Sequence, residues 1–449
     1  MKRIYCKLVS FIMILSILFS CTVVSYAESL DVIDSSIGKK AIIIVPGICG
    51  SELFSSKKQR INGVDYEKGH RFWPPECITP FFDNKGVIKP QDFDNLQLES
   101  ISNDLKLICC LDNGMSKIEM MPSNPVLDCR KNNEKRNFGI VNCYEKLVKS
   151  IIKNTDENEY DIIFFSYDWR QRNEDTATEL ENLINEKNYK NISLVGHSMG
   201  SLVCTSYLSK EENKVKVDKT IFLGAPLLGS PKAFSVLDEG RFIDGILGSI
   251  FAPLVNPIIK DITRNCRSVY ELLPPKQYFD LLKKGYLKKC DGKGNIELLD
   301  TYEDTVDFIA HKIGGVNTKE FLVAAQKFYD TLFKDGNFLL SDKDLKVYSI
   351  LGINQVTPEG VVVYEKGPNK EIKCNGDGMV TVQSALVANS LIEKKNYYLR
   401  NISHMGLMSN PTSVKLVCDI LNDKDNIKKV NRVIVTDKRP EDKILDLCA

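Results

Sequence analysis

The sequence lacks the features that mark several classes of protein. It has 60 Lys and Arg against 59 Asp and Glu in 449 residues, so no charge excess points to nucleic acid as a partner. No C-x-x-C pair occurs among its cysteines, which leaves zinc-binding and thioredoxin-type interpretations with little support. It has no internal repeats and no low-complexity tracts. We therefore expect a globular protein with no metal and no cofactor.

Histidine is also scarce, which limits the chemistry that the chain can perform with an imidazole. A catalytic histidine must be one of only four residues: His70, His197, His311 and His404.

The N-terminus has the pattern of an export signal. Three basic residues stand among the first seven, Leu8 to Val24 is almost wholly apolar, and Ser25-Tyr26-Ala27 offers small residues at the cleavage positions. We predict that residues 1–27 are a signal peptide and that the protein is secreted after cleavage near Ala27. Two alternatives stay open: an uncleaved membrane anchor, and a lipid anchor at Cys21.

Twelve cysteines remain after residue 27. An even number in an exported protein permits disulfides, but their pairing cannot be deduced from one sequence. We expect Cys204 to be a buried, apolar residue that forms no bridge.

The segment around Ser198 organises the chain. A short apolar run, Ile192 to Val195, leads into G-H-S-M-G, and a helix-like run follows. Strand, sharp turn and helix with G-x-S-x-G at the turn form the pattern that exposes a nucleophilic serine, and a side chain at Gly196 or Gly200 would collide with the flanking strand and helix. Ser198 is therefore the candidate nucleophile, with an ordinary glycine-rich turn as the alternative.

Apolar runs of strand length alternate with helix-length segments along much of the chain. We predict a helix over 143–153 and strands at these runs: 39–46, 160–167, 192–195, 219–224, 346–352, a hairpin of 361–364 with 370–374, 397–401, and a short piece at 433–435. Strands separated by helix-length segments indicate a mostly parallel sheet wound by crossovers. The prediction is an α/β fold with a doubly wound sheet.

We predict one domain over 28–449, with a core formed by about 39–51, 138–230 and 345–421. An irregular excursion, residues 52–137, follows the first strand. A cap insertion, about 231–344, contains apolar pairs at nearly helical spacing that Gly and Pro interrupt. Over 240–262 this pattern suits a lid above a lipid site, and equally a buried pair of cap helices with no gating role.

A serine nucleophile needs an imidazole to accept its proton and a carboxylate to orient that imidazole. After a turn of this type the groups follow in the order Ser, acid, His, which excludes His70. His197 lies inside the turn, and we expect its side chain to point away from the site. We predict His404 as the base because it follows the last core strand, whereas His311 lies in the cap insertion.

The acid is expected between Gly352 and Asn396. Asp377 is the candidate because glycines on both sides free the backbone to direct its carboxylate inward; an ordinary turn aspartate is the alternative. The other carboxylates of this interval lie in polar stretches that we expect to be solvated: Glu359, Glu365, Glu371 and Glu393.

Two backbone N–H groups are candidates for an oxyanion hole. One belongs to Met199, directly after the nucleophile, and the other to Ile48, in the glycine-bounded loop 46–51 that follows the first strand. A plain strand-ending turn is the alternative for that loop.

Seven short blocks occur in order along the chain: V-P-G-I-C-G-S-E-L (45–53), S-Y-D-W-R (166–170), G-H-S-M-G (196–200), L-G-A-P-L-L-G-S (223–230), Y-S-I-L-G (348–352), G-D-G-M-V (376–380) and S-H-M-G-L-M (403–408). They resemble the blocks of the lecithin:cholesterol acyltransferase family, which includes lysosomal phospholipase A2. The resemblance extends as islands from residue 41 to about 420, and Ser198, Asp377 and His404 match the family's triad positions.

The resemblance implies an α/β-hydrolase core with a cap and a lid. It also implies catalysis through an acyl-serine on fatty-acyl esters of phospholipids or related lipids at a membrane or micelle surface, with water or an alcohol as acceptor. The excursion aligns poorly, so the family's membrane-binding subdomain and its disulfide cannot be carried over. Met379 replaces the more usual threonine after G-D-G, and the lid has no readable match.

The predicted function is that of an exported serine lipid acyl-hydrolase or O-acyltransferase. A short-chain carboxylesterase or general lipase is the enzymatic alternative, and the apolar lid pattern argues against the short-chain carboxylesterase. A catalytically silent hydrolase fold used as a binding module is the alternative of another class; silent relatives normally lose the serine or the histidine, and this chain keeps all three groups. The oligomeric state is not predicted.

Overall fold

The computed structural model describes residues 40–75, 95–126, 128–130, 143–242, 256–391, 394–424 and 433–435. Several predictions fall outside these ranges: the signal peptide with the alternative anchor at Cys21, the central part of the predicted lid (243–255), Glu393, Cys77 and Cys448. Among the residues described, no helix has the length and apolar character needed to cross a membrane.

The strands of the described residues are, in chain order, β1 Lys40–Val45, β2 Leu53–Ser55, β3 Gln59–Ile61, β4 Val64–Tyr66, β5 Arg71–Trp73, β6 Met120–Pro122, β7 Tyr160–Phe164, β8 Ile192–His197, β9 Val217–Leu223, β10 Leu287–Cys290, β11 Ile296–Leu299, β12 Phe333–Lys334, β13 Asn337–Phe338, β14 Val347–Ile353, β15 Gln355–Tyr364, β16 Lys370–Gly376, β17 Lys395–Arg400 and β18 Val433–Val435.

The helices are α1 Asn95–Ile108, α2 Glu145–Asn154, α3 Asn173–Glu186, α4 Met199–Tyr207, α5 Glu211–Lys214, α6 Lys232–Glu239, α7 Arg267–Tyr270, α8 Lys276–Leu282, α9 Tyr302–Ile313, α10 Thr318–Thr331, α11 Val382–Ala385 and α12 Pro411–Leu421. Residues 256–263 are also helical, and 3₁₀ turns cover Leu339–Ser341 and Met405–Met408.

The central sheet has the order β18-β17-β14-β9-β8-β1-β7. Its strands pair in parallel, except that β18 lies antiparallel on β17 at the edge. The first strand shows why the sheet is buried on both faces. Ala41, Ile43 and Val45 pack in one hydrophobic cluster, which includes side chains of α3 and α4, and Ile42 and Ile44 pack in another, with α2 and α12. The predicted α/β fold with a doubly wound, mostly parallel sheet is confirmed.

One predicted core strand is shorter than expected. The run 160–167 leaves the sheet after Phe164, because Tyr167 finds partners outside the ladder. Its N–H donates to the Ser51 hydroxyl at 3.0 Å, and its own hydroxyl donates to the Pro46 carbonyl at 2.6 Å. The departing chain therefore braces the loop that follows β1.

A second sheet joins the cap insertion to the C-terminal part of the core. Its order is β11-β10-β15-β16, in which the predicted hairpin forms β15 and β16. The other two strands, β10 and β11, belong to the cap insertion and were not predicted, because they are short and carry charged residues. This sheet brings the residues after β16 to the edge of the central sheet.

The excursion is anchored to the core by Arg170, whose side chain is fully buried. Its guanidinium pairs with Asp168 at 2.7–2.8 Å and donates to the carbonyl of Ile108, at the end of α1, at 2.9 Å. A buried guanidinium is stable only when its donors are paired, so this network fixes α1 against the core.

The cysteines that the structure describes are free thiols. Cys204 is fully buried in the core on α4 and forms no bridge, as predicted.

Glu271 lies at the contact between cap and core and gives a pH-dependent stability. Its buried carboxylate accepts a hydrogen bond from the Asn173 N–H, at the start of α3, at 2.7 Å. Burial raises the pKa of Glu271 to about 8, against the lowering effects of Asn173 and Arg172. The folded state then binds more protons than the unfolded state between about pH 4.3 and 8, so this group's contribution to the free energy of unfolding falls as the pH rises through that window.

We expect Glu271→Gln to stabilise the protein relative to wild type more at pH 8 than at pH 5, because the amide keeps the acceptor and removes the titration. The difference in Tm between variant and wild type should grow by about 2–5 °C between the two pH values. Thermal unfolding at both pH values measures it. An equal difference at pH 5 and pH 8 would contradict the raised pKa.

Candidate active site

Ser198 occupies the turn between β8 and α4 in a strained backbone conformation. Its φ is 52° and its ψ is −127°, which is unfavourable for any residue with a Cβ atom. It is the N-cap of α4, but its hydroxyl does not cap the helix. The hydroxyl therefore stays available for chemistry while the helix N-terminus lies directly behind it.

The two glycines of the turn are required by close backbone contacts. A Cβ on Gly196 would lie 2.9 Å from the Cα of Ser201 on α4, and a Cβ on Gly200 would lie 2.2 Å from the carbonyl oxygen of Val45 on β1. The predicted collision with strand and helix is what the structure shows.

The structure brings Asp377 and His404 together. Asp377 follows β16 and His404 follows β17, and His404 Nδ1 lies 2.7 Å from Asp377 Oδ2 with both side chains buried. The other oxygen, Oδ1, accepts the N–H groups of Met379 and Val380 at 2.9 and 2.8 Å, and the His404 N–H donates to the Asp377 carbonyl at 2.8 Å. A carboxylate held in this way fixes the histidine ring and favours a proton on Nδ1, which leaves Nε2 free to accept one.

Ser198 and His404 line one cavity of about 170 Å³. Its wall is largely apolar and combines side chains of the excursion, the core and the cap, among them Trp73, Val236, Ile259 and Leu272. Within the described part of the chain, no hydrogen bond joins the Ser198 hydroxyl to His404. Catalytic hydrogen bonds are often long without substrate, so direct contact of these two groups belongs to the proposal below.

The two predicted oxyanion donors belong to Met199 and Ile48. Met199 is the first residue of α4, where N–H groups have no helical partner, and Ile48 lines the cavity in the loop after β1. In the described ranges neither N–H donates a hydrogen bond. Gly47, beside Ile48, packs so closely that a Cβ there would be 2.9 Å from the Cβ of Ser198. The loop that carries Ile48 is thus packed against the serine turn.

Gly224, after β9, leaves the space in which Asp377 and His404 meet. Its φ is +60°, and a Cβ there would lie 2.7 Å from Asp377 Oδ2 and 2.9 Å from His404 Nδ1. The site therefore requires the glycine of the L-G-A-P block, Gly224. This requirement was not predicted from the sequence.

The expectation that the His197 side chain points away from the site is wrong. Its ring is buried, lines the same cavity and lies 4.9 Å from the ring of His404, centroid to centroid. Its Nδ1 is 2.8 Å from the hydroxyl of Tyr144, which also lines the cavity. Burial, and then the neighbouring His404, lower the pKa of His197 well below 6.5, so it is a neutral imidazole. Tyr144 was not predicted, since nothing in its local sequence distinguishes it.

The remaining candidates lie elsewhere. His311 is exposed near the end of α9, and His70 bonds Asp104 at 3.0 Å within the excursion. Glu371 is not solvated as expected: its side chain is buried because the Lys232 ammonium lies 3.1 Å away. Across the described residues, no cluster of His, Cys, Asp and Glu is arranged to hold a metal ion.

Comparison with known proteins supports the resemblance noted from the sequence. Residues 127–330 match the family profile "Lecithin:cholesterol acyltransferase". This segment contains Ser198 and ends before Asp377 and His404. No curated protein sequence is significantly similar to the chain.

Several solved structures are similar to the chain at low sequence identity, and the first of them shows the same fold. A chain of the Tle4–Tli4 complex is 12% identical, with 88% of this chain and 99% of the other covered and a TM-score of 0.55. Bacillus licheniformis lipase BlEst2 in mature form is 15% identical, with 61% and 83% covered and a TM-score of 0.33. A carboxylesterase from the thaumarchaeon Nitrososphaera gargenis is 13% identical, with 63% and 84% covered and a TM-score of 0.30.

The match to an acyltransferase-family profile supports ester hydrolysis or acyl transfer in general. Residues 127–330 are thus similar to the lecithin:cholesterol acyltransferase family, within a chain that has a doubly wound α/β fold.

Proposed function

We propose that the protein is an exported serine lipid acyl-hydrolase or O-acyltransferase that forms an acyl-serine at Ser198. The observation that carries this proposal is the buried Asp377–His404 pair, with Nδ1 and Oδ2 at 2.7 Å, at the same apolar cavity as the strained serine. An ester with a long apolar chain fits this site because the wall offers few polar partners.

In the first half of the reaction, Ser198 Oγ attacks the ester carbonyl while His404 Nε2 accepts the hydroxyl proton. Asp377 keeps Nδ1 protonated and stabilises the imidazolium that forms. The negative charge on the former carbonyl oxygen is stabilised by the N–H groups of Ile48 and Met199 and by the N-terminus of α4. His404 then gives its proton to the leaving alcohol as the carbon–oxygen bond breaks.

In the second half, water or an alcohol attacks the acyl-serine, and His404 again accepts and returns a proton. The free acid or the new ester leaves, and Ser198 is restored. The proposal also includes export after cleavage near Ala27 and activity at a membrane or micelle surface. N-terminal sequencing of the protein recovered from the culture medium tests the export. A protein that still begins at residue 1 would contradict cleavage near Ala27.

Lipid mass spectrometry tests the proposed activity. A mixture of phospholipid and sterol in vesicles is analysed before and after incubation with the purified protein. We expect loss of phospholipid with an equal gain of lysophospholipid, accompanied by free fatty acid if water is the acceptor or by steryl ester if the sterol is. Exposed His311 supplies the matched control, since His311→Ala should leave turnover unchanged. An unchanged lipid profile would contradict the lipid assignment.

A further inference from the structure

A chain of buried hydrogen bonds connects the oxyanion loop, the serine turn and the loop of the base. The Gly47 N–H donates to the Tyr144 hydroxyl oxygen at 2.8 Å, that hydroxyl lies 2.8 Å from His197 Nδ1, and His197 Nε2 lies 3.4 Å from the His404 carbonyl oxygen. These groups come from the segments after β1, before α2, at the end of β8 and after β17. Tyr144 thus bridges segments that are distant along the chain.

The direction of each bond follows from the groups themselves. An amide N–H can only donate, so the phenol oxygen accepts from Gly47 and its own proton is left for His197 Nδ1. Burial raises the pKa of Tyr144 well above 10, so the phenol keeps that proton. His197 then accepts at Nδ1 and carries its proton on Nε2, which faces the His404 carbonyl. In the opposite tautomer, the lone pair of His197 Nε2 would face the His404 carbonyl oxygen, which is unfavourable.

The chain ends on groups that the proposed reaction needs in fixed positions. Gly47 precedes Ile48, whose N–H is a proposed oxyanion donor, and packs against Ser198. His404, at the other end, donates its backbone N–H to the Asp377 carbonyl at 2.8 Å. Small displacements of catalytic groups lower the rate by large factors. A rigid hydrogen-bonded connection between the loops of Ile48 and His404 would therefore favour catalysis.

We propose that Tyr144 is a positioning residue for acyl transfer, which acts through His197 to hold the Ile48 loop and His404 in register around Ser198. This inference deepens the proposed function and rests on it.

Tyr144→Phe tests the role with the ring retained, including its edge contact with Phe164. The number of active serines is first titrated with a fluorophosphonate. We expect kcat per titrated serine for a long-chain ester to fall by about 10–100-fold, and KM to change by less than about 2-fold. The inhibition constant of a trifluoromethyl ketone, which needs the oxyanion hole, should rise by the same factor as kcat falls. If the Tyr144 hydrogen bonds served only stability, Tyr144→Phe would have a lower Tm and fewer titratable serines than wild type, and its kcat per titrated serine would be the same.

Tyr329→Phe is the matched control. It also removes a buried phenol that donates to a carbonyl, that of Glu271 at 3.0 Å, and Tyr329 does not line the cavity. We expect a lower Tm and an unchanged kcat per titrated serine. If Tyr144→Phe behaves in the same way as this control, the positioning role is refuted.

A double-mutant cycle tests whether Tyr144 acts through His197. His197→Asn keeps an acceptor for the phenol but is too short to reach the His404 carbonyl. In that background we expect Tyr144→Phe to cost less than about 3-fold in kcat, because the chain is already broken. Additive losses in the double variant would overturn the proposed route.

The hydrogen-bond chain has a readout that does not depend on activity. The protein has four histidines, so ¹⁵N labelling of histidine gives few signals. We expect His197 to show an unprotonated Nδ1 and a protonated Nε2 at pH 6.5 and above, because its pKa is lowered well below 6.5, and Tyr144→Phe to alter this state. An unchanged His197 signal in the variant would refute the hydrogen-bond chain.

The two proposals fail in different ways. An unreactive wild-type serine would refute the proposed function and the positioning role with it. Unchanged kcat per titrated serine in a reactive Tyr144→Phe enzyme would refute the positioning role alone.

Discussion

Ser198→Ala is expected to lower kcat/KM for a long-chain ester by about 10⁴-fold or more, and His404→Ala by a similar factor. In the proposed mechanism the two groups act in one proton transfer, so the double variant should be no worse than the poorer single variant. Both side chains face the cavity, so Tm should stay close to that of wild type. Steady-state kinetics on purified variants, with Tm measured in parallel, check this.

His311→Ala is the control for the identity of the base, because His311 is exposed in the cap insertion and should tolerate the change. If His311→Ala abolished turnover while His404→Ala did not, the base would be wrongly assigned. Losses that add fully in the Ser198→Ala/His404→Ala double variant would contradict a shared step.

Gly224→Ala is expected to lower kcat by about 10²–10³-fold without any change in a reacting group. The new methyl group would stand 2.7 Å from Asp377 Oδ2 and 2.9 Å from His404 Nδ1, beside the 2.7 Å hydrogen bond and too close to both of its partners. Those side chains must move apart, and a displacement of about 1 Å at a catalytic group costs about 100-fold. The positive φ adds about 1 kcal/mol of strain to the folded state.

Gly69→Ala separates the two effects. Gly69 also has a positive φ, of +86°, but nothing lies within 4 Å of a Cβ placed there. This variant should lose stability through backbone strain and keep its kcat. Full activity in Gly224→Ala, or an equal loss of activity in both variants, would show that the space beside Asp377 and His404 is not needed.

The sequence predicted the features that depend on local pattern. The apolar run of β1 and the glycine spacing around Ser198 are local patterns, and the structure shows the expected strand and close contacts. The fold class followed from the alternation of strand-length and helix-length segments. The order of serine, acid and histidine along the chain similarly directed attention to Asp377 and His404, which are hydrogen-bonded in the structure.

The features that were missed depend on partners distant in sequence. His197 points into the site because Tyr144, 53 residues earlier, binds its ring, and Glu371 is buried because Lys232, 139 residues earlier, neutralises it. Strands β10 and β11 are too short and too charged to stand out by periodicity, and they are fixed by pairing with each other and with β15. No local pattern encodes such contacts.

The central claim is that the Ser198 hydroxyl is the nucleophile of this site. Labelling with a fluorophosphonate probe, followed by mass spectrometry of the peptides, tests it most directly. We predict one phosphonate per wild-type chain, attached to Ser198, and none on Ser198→Ala. An unlabelled wild-type protein, or labelling that persists in Ser198→Ala, would contradict the claim.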